Sequence, residues 1–236
     1  MKIIILTTKT EHHDYFIDKL DLEDNNIFII YEKKETKFNY KVNHKFYKIR
    51  QKVEKNFFQN KKKNREIKKK YFFDINSKLS MAYIKKINPN IIISFGTGLI
   101  KKKFLTQFKK KILLNFHGGN PELYRGLDSH LWSIYHKDFN NLVTTLHKID
   151  SKFDTGDILY SKKIKHTNRI NIENLRIFNT EICIKLSNKL IHAVKNKKKL
   201  VYKKQKTLGR YYSAIPSVLI DNCRKNFQNW INKKKK

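Results

Sequence analysis

Continuous aliphatic runs alternate with stretches of helical spacing along the first half of the chain. KIIIL (2–6) predicts a buried strand, HHDYFIDKL (12–20) a helix and NIFII (26–30) a second strand. Apolar residues then recur at helical intervals at Phe46, Ile49, Val53 and Phe57. Phe72, Ile75, Leu79, Tyr83 and Ile87 repeat that spacing and predict a further helix. NPN (88–90) stops it, IIISF (91–95) follows as a third strand and ILLNF (112–116) as a fourth, with NLVTTLHKI (141–149) strand-like beyond them. Strands that are aliphatic throughout bury both faces, so the pattern predicts a parallel sheet covered by helices on each side. With right-handed crossovers this is an α/β fold, a Rossmann-like, doubly wound, mostly parallel sheet. After Ile158 the pattern leaves room for one helix over 171–194 and a short tail. Leu175, Phe178, Ile182, Leu186, Leu190 and Val194 are helix-spaced there and belong to the core. The expected organisation is a domain over 1–200 and a short helical tail over 201–236. The tail would pack on the domain or form a homodimer contact.

Composition bounds this picture. A chain of 236 residues suffices for one sizeable core, and 39% hydrophobic with 13% aromatic residues marks a folded protein. No apolar run has the length of a membrane span. Ile3 to Leu6 is too short for the core of a signal peptide. Cys183 and Cys223 fit neither a metal site nor a disulfide framework, and a reduced, cytoplasmic setting is expected. The formal charge of +33 has two readings. One is an anionic partner such as nucleic acid, a membrane face or a phosphorylated substrate. The other is lysine-rich composition with solvated side chains, and the spread of Lys over the whole chain favours it. The densest runs, KKKNREIKKK (61–70) and KKKK (233–236), read as an exposed helix turn or loop and as a frayed end.

Candidate chemistry begins with an absence. TTKTEHH, after the first strand, holds no glycine, so neither a dinucleotide fingerprint nor a Walker loop is present there. The fourth strand instead runs into NFHGGNPELYRG (115–126), where two of the seven glycines and one of the three prolines, Gly118, Gly119 and Pro121, sit within five residues. Asn115 and His117 are two apart, so on a strand they share a face. An Asn amide can donate to a developing oxyanion, and a His can take or give a proton near neutrality. HKIDSKFDTGDI (147–158) offers Asp150, Asp154 and Asp157, and its DTGD turn could aim a carboxylate at the His. The same residues also serve ordinary loops, as a cap, a surface His and a turn Asp. Alone they are a weak constellation.

The ordered set is more specific than its parts. Asn115-x-His117 is followed by Pro121, by Tyr124-Arg125-Gly126, by a strand carrying His147 and then by DTGDI. In this order and spacing, Ile91 to Leu159 resembles the formyltransferases that use 10-formyltetrahydrofolate. These include the glycinamide ribonucleotide, methionyl-tRNA and amino-sugar enzymes. The resemblance implies a formyltransferase fold and a folate-dependent formyl transfer. It implies that Asn115 hydrogen-bonds the formyl oxygen, that His117 sits beside the reacting carbon, and that Asp154 holds the His and moves the proton of the attacking amine. It places the pterin of the formyl donor against the loops SFGTGLI (94–100) and KIDSKFD (148–154), with Phe95, Gly96, Thr97, Gly98, Leu99, Ile149 and Asp150 as cofactor-binding residues. Gly118, Gly119, Tyr124, Arg125 and Gly126 are the implied substrate-binding residues. His147 is expected to support the site from behind or to be structural.

Departures from the family pattern bear on the acceptor. GGNPELYRG stands where Pro-Ser-x-Leu-Pro is common, and the phosphate loop of the glycinamide ribonucleotide enzymes is missing from TTKTEHHDYF. The tRNA enzymes carry a C-terminal barrel, whereas the pattern after Ile158 predicts one helix and a short tail. The expected acceptor is therefore a small amine, such as an amino sugar or a nucleotide-linked amino sugar. The alternative is a nucleic-acid-binding protein on the same scaffold, or an enzyme for a tRNA-borne amine; it lacks an RNA-binding aromatic signature. In the tail, Tyr211 and Tyr212 face the acceptor or pack. Lys101, Lys102 and Lys103 meet a glutamate tail of the folate or simply begin a solvated helix.

Overall fold

The computed structural model describes residues 1–34, 40, 44–59, 61, 65–165, 167 and 169–233. Lys62, Lys63 and Asn64 of the first lysine run, and Lys234 to Lys236 of the second, lie outside the described residues. The elements follow in order: β1 (Ile3–Thr7), α1 (Glu11–Asp18), β2 (Ile27–Glu32), α2 (His44–Gln59), β3 (Lys68–Phe72), α3 (Lys78–Ile87), β4 (Ile91–Phe95) and α4 (Lys102–Gln107). Then come β5 (Ile112–His117), β6 (Tyr124–Gly126), α5 (Ser129–Tyr135), β7 (Val143–Lys148), β8 (Ile158–Lys163), α6 (Leu175–Lys195), β9 (Arg210–Tyr212) and α7 (Ile220–Lys233).

Among the described residues the main sheet has the order β3-β2-β1-β4-β5-β7-β8. The pairs from β3 to β5 are parallel, whereas β5–β7 and β7–β8 are antiparallel. Its central strands β1, β2 and β4 are almost wholly apolar because both faces are covered. Ile3 and Ile5 of β1 join one apolar cluster with Phe16 of α1, Phe46 and Phe58 of α2, and the inner positions of α6 and α7. Ile4 and Leu6 point the other way, into a cluster with Met81 and Ile84 of α3 and Phe104 of α4. Cys223, Phe227 and Ile231 put α7 in the same cluster as the sheet. No helix among the described residues is long and apolar enough to cross a membrane.

Several elements differ from the pattern read along the chain. The stretch expected to start a helix at Phe72 is an edge strand, β3, whose Lys68, Lys69 and Lys70 are exposed beside β2. Lysines on an edge strand block further pairing, and their charge hides the strand from a hydrophobic pattern. Asp74 Oδ1 then accepts from Asn76 N at 2.7 Å, and Ser77 caps α3 by accepting from Ser80 N at 3.2 Å. So α3 begins at Lys78, and Leu79, expected on its inner face, is 76% exposed. On α2 Ile49 is likewise exposed. Its inner face carries Phe46, Glu54 and Phe58, and Glu54 is buried because Arg176 of α6 binds both its oxygens, at 2.6 and 2.5 Å. α6 begins at Leu175, after Asn171 and Asn174 exchange main-chain to side-chain bonds of 2.8 Å. Between Ile158 and that helix the pattern had no strand. β8 is there, with Ser161, Lys162 and Lys163 exposed at the other edge of the sheet.

Candidate active site

The sheet's register brings the site together. Asn115 of β5 lies opposite His147 of β7, and His117 lies opposite Thr145. Asn115, His117 and His147 therefore project from one face at the carboxyl end of β5. The ladder slips between Leu146 and His147, where β8 turns back along β7, and such an irregularity re-aims a side chain. The turn between β7 and β8 supplies Asp154 in a left-handed conformation, φ 55°. Gly156 is needed in this turn, because a Cβ there would stand 2.1 Å from the Lys148 carbonyl oxygen.

Asp154 is the hub. Its Oδ2 accepts from Gly126 N at 2.8 Å and lies 3.3 Å from His117 Nδ1. Its Oδ1 lies 3.3 Å from both His147 Nε2 and Asn115 Nδ2. The Asn115 amide also meets His147 Nε2 at 3.2 Å. His117, His147 and Asp154 are 5%, 2% and 8% exposed, so little water screens these charges. Burial pulls His117 below its usual pKa, against the opposing pull of the Asp154 carboxylate. Burial would raise the Asp154 pKa, but His117, the His147 hydrogen bond and the Gly126 N–H outweigh it and hold the carboxyl well below the usual range.

Main-chain carbonyls fix both imidazoles. His117 Nε2 donates to the Tyr124 carbonyl at 2.6 Å, and His147 Nδ1 donates to the Lys148 carbonyl at 2.7 Å. A carbonyl cannot donate, so those nitrogens carry the hydrogens. When either ring is neutral, the nitrogen facing Asp154 presents a lone pair to a carboxylate oxygen. A proton placed between Asp154 and one imidazole removes that repulsion. The cluster is thus built to hold one mobile proton beside Asn115, whose two long amide bonds can yield to a stronger acceptor.

A cavity opens on this cluster, with about 860 Å³ of empty space including its mouth. Asn115, His117, His147 and Asp154 line it, as do Gly96, Thr97, Gly98 and Leu99 on one side and Ile149 and Asp150 on the other. Leu99, Leu127, Phe153 and Tyr211 form an apolar rim, each more than a third exposed, which suits a flat, partly apolar ligand. Gly96, at φ 77°, leaves room for His13, and Gly98 N donates to the buried Glu32 at 2.8 Å, which pins the loop.

Other expected site residues stand outside the lining. Phe95 is buried against His13, Phe16 and Phe116. Gly118 and Gly119 pack on His130 and Ser129. Tyr124 donates to Asp138 at 3.1 Å and stacks on Tyr212. Arg125 donates to the carbonyls of Gly209 at 2.6 Å and Phe153 at 3.2 Å, so it ties segments together. Gly126 does line the cavity, and its N–H goes to Asp154.

A family model described as Formyl transferase matches residues 1–176. The chain belongs to the formyl transferase family. Among curated relatives, the methionyl-tRNA formyltransferase of Finegoldia magna is 36% identical over 103 residues, covering 43% of this chain and 33% of that protein. The matched stretch thus spans about a third of that relative's length. The 4-N formyltransferase of Francisella tularensis has the same fold, with a TM-score of 0.59, 18% identity and coverage of 90% of this chain and 76% of that one. The formyltransferase PseJ of Anoxybacillus kamchatkensis, solved with UDP-4,6-dideoxy-4-formamido-L-AltNAc and tetrahydrofolate, gives 0.55, 19% identity and coverage of 90% and 86%.

Within this formyl transferase scaffold, sequence reasoning expected His147 behind the site and passed over Glu32, Leu127 and Phe153. His147 sits in the cluster itself, and its position opposite Asn115 needed the antiparallel register of β7. Glu32 at the end of β2 carried no motif. Leu127 and Phe153 at the rim are ordinary loop residues by sequence.

Proposed function

We propose that the chain is an N-formyltransferase that moves the formyl group of 10-formyltetrahydrofolate to the amine of a small acceptor. The observation that carries this reading is the meeting of Asn115, His117 and Asp154 at one cavity whose walls are the loops 94–100 and 149–154. The apolar rim and the backbone-rich walls fit a pterin ring, and Asp150 lies at the edge for its polar groups. When bound, the formyl donor supplies an activated one-carbon acyl group. Asn115 would donate an N–H to the acyl oxygen as negative charge gathers there. Asp154 would take the proton shed by the amine as its nitrogen bonds the formyl carbon. Asp154 would hand that proton on to Nδ1 of His117, 3.3 Å from its Oδ2, and His117 would pass one to the folate nitrogen as its bond to that carbon breaks. One proton enters the cluster and one leaves, so it returns to its starting state.

An amino sugar, free or nucleotide-linked, is the acceptor we favour, supported by the fold shared with sugar-modifying enzymes along 90% of this chain. The match to methionyl-tRNA formyltransferases supports a tRNA-borne amine as the second reading. The test is transfer of labelled formyl from 10-formyltetrahydrofolate to a panel holding nucleotide-linked amino sugars, free amino sugars and methionyl-tRNA. Label in an amino-sugar formamide is the expected result. Label in methionyl-tRNA alone would select the second reading, and label in no amine would reject the transferase.

A further inference from the structure

Residues 203–212 lie beyond the stretch matched by the family, and they run as a strap over both segments that build the cluster. Lys203 and Ile158 exchange main-chain bonds of 2.8 Å at the start of β8. Lys206 N and Thr207 Oγ1 donate to the side chain and main chain of Glu122, at 2.7 and 2.8 Å. Gly209 passes so close that a Cβ would lie 2.4 Å from the Pro121 carbonyl oxygen. β9 then pairs with β6, the strand that carries the Tyr124 carbonyl and the Gly126 N–H.

In the middle of the strap Gln205 reaches the other segment. Its Nε2 donates to the Asp154 carbonyl at 3.0 Å and to the Gly156 carbonyl at 2.7 Å. These two carbonyls bracket the turn that holds Asp154 left-handed. A non-glycine residue stays in that conformation, at a cost on the order of 1 kcal/mol, only when its surroundings over-determine it. The other end of the amide, Oε1, is buried with no hydrogen-bond partner among the described residues. An open buried acceptor is itself unfavourable, so the donor end is what gives this glutamine its place. Asp154 is thereby held twice, through its carboxylate by Gly126 and through its main chain by Gln205.

We propose that Gln205 is a positioning residue, whose amide clamps the Asp154–Gly156 turn so that the carboxylate stands between His117 and His147. The inference rests on the reading of Asp154 as the carboxylate that moves the proton. Gln205→Met keeps the length and removes both donated bonds. Gln205→Glu keeps the shape and turns an acceptor toward two carbonyls. In the full chain, Gln205→Met should lower kcat about ten- to a hundredfold, the scale of a displaced catalytic group, with KM for the folate nearly unchanged. In Gln205→Glu, kcat per folded molecule should fall as pH rises and the new carboxyl ionises. The second readout needs no substrate. Nitrogen resonances of the His117 and His147 rings, each 3.3 Å from an Asp154 carboxylate oxygen, should shift in both variants. Wild-type kcat and unshifted ring signals in either variant would overturn the role. So would a kcat loss that vanishes after correction for folded fraction. Failure of both variants to fold would overturn it too, because the amide would then hold the domain and not one turn. Shifted rings in a protein that formylates no amine would uphold the positioning and remove only the transferase reading.

Discussion

At the scale of single residues, the site's chemistry follows from where hydrogens can sit. The Tyr124 and Lys148 carbonyls claim one nitrogen of each imidazole, and Asp154 faces the other two. In the proposed reaction His117 and Asp154 carry protons, so His117→Ala and Asp154→Ala should each lower kcat by about 10²- to 10⁴-fold. Circular dichroism should show both variants folded, and near-wild-type turnover in either would end the assignment. Gly126→Ala is expected to be worse than a cavity-edge change suggests. Gly126 sits at φ 89°, where an added Cβ would be 2.1 Å from the Tyr212 carbonyl oxygen. The β6–β9 pairing must shift, and the N–H on Asp154 shifts with it. Kinetics and thermal melting together should show loss of both activity and stability. Asn115 and His117 were legible in the sequence because they stand two apart on one strand, and Asp154, 39 positions from Asn115, because the order of the motifs resembles a family. His147 was expected behind the site or as a structural residue, and its place opposite Asn115, 32 positions away, is set by an antiparallel pairing that the pattern does not show.

At the scale of elements, hydrophobic pattern predicted the central strands well, because β1, β2 and β4 are buried on both faces and β5 is partly or fully buried along its length. It failed at both sheet edges, where lysines replace the apolar signal on β3 and β8. It also misjudged the inner face of α2, where Glu54 takes a core position. That carboxylate neutralises Arg176 and lies near Arg50, whose pKa burial and the Arg176 charge push down to about 10. Glu54→Gln would leave the Arg176 guanidinium without its counter-charge, close to Arg50, which keeps Asp128. Breaking a buried pair of this kind should cost about 3 kcal/mol, as a lowered urea midpoint with an unchanged m-value. An unaltered midpoint would mean that solvent already screens this cluster.

At the scale of the whole molecule, the charge of +33 and the buried histidines set separate expectations. The cavity holds Lys152 against Asp150 and Asp154, so it is no more basic than the surface. KM for the folate should change little between low and moderate salt, since exposed lysines are screened beyond about 10 Å at 0.1 M. A steep, salt-dependent loss of affinity for polyglutamylated folate, removed by changing Lys101, Lys102 and Lys103 to Gln, would show a specific anion contact instead. Acid should destabilise the fold early. Burial lowers the pKa of His12, His13 and His117, and brings His130 to about 4. The unfolded chain then binds more protons below its histidine pKa of about 6.5, so stability falls as pH drops through that value toward the folded pKa values. The depressed Asp154 pKa adds a loss in the same direction at lower pH, below about 3.8. A thermal midpoint that declines from pH 7 to pH 5 is expected, and a flat one would contradict the buried neutral histidines. The central claim, that Asp154 moves the proton of formyl transfer, is tested most directly by single-turnover transfer in Asp154→Asn. This variant keeps the shape and an acceptor for Gly126 but not the charge. The account predicts that 5-formyltetrahydrofolate binds about as tightly as to the wild type while the transfer rate falls by about 10²- to 10⁴-fold. Transfer at the wild-type rate would contradict it.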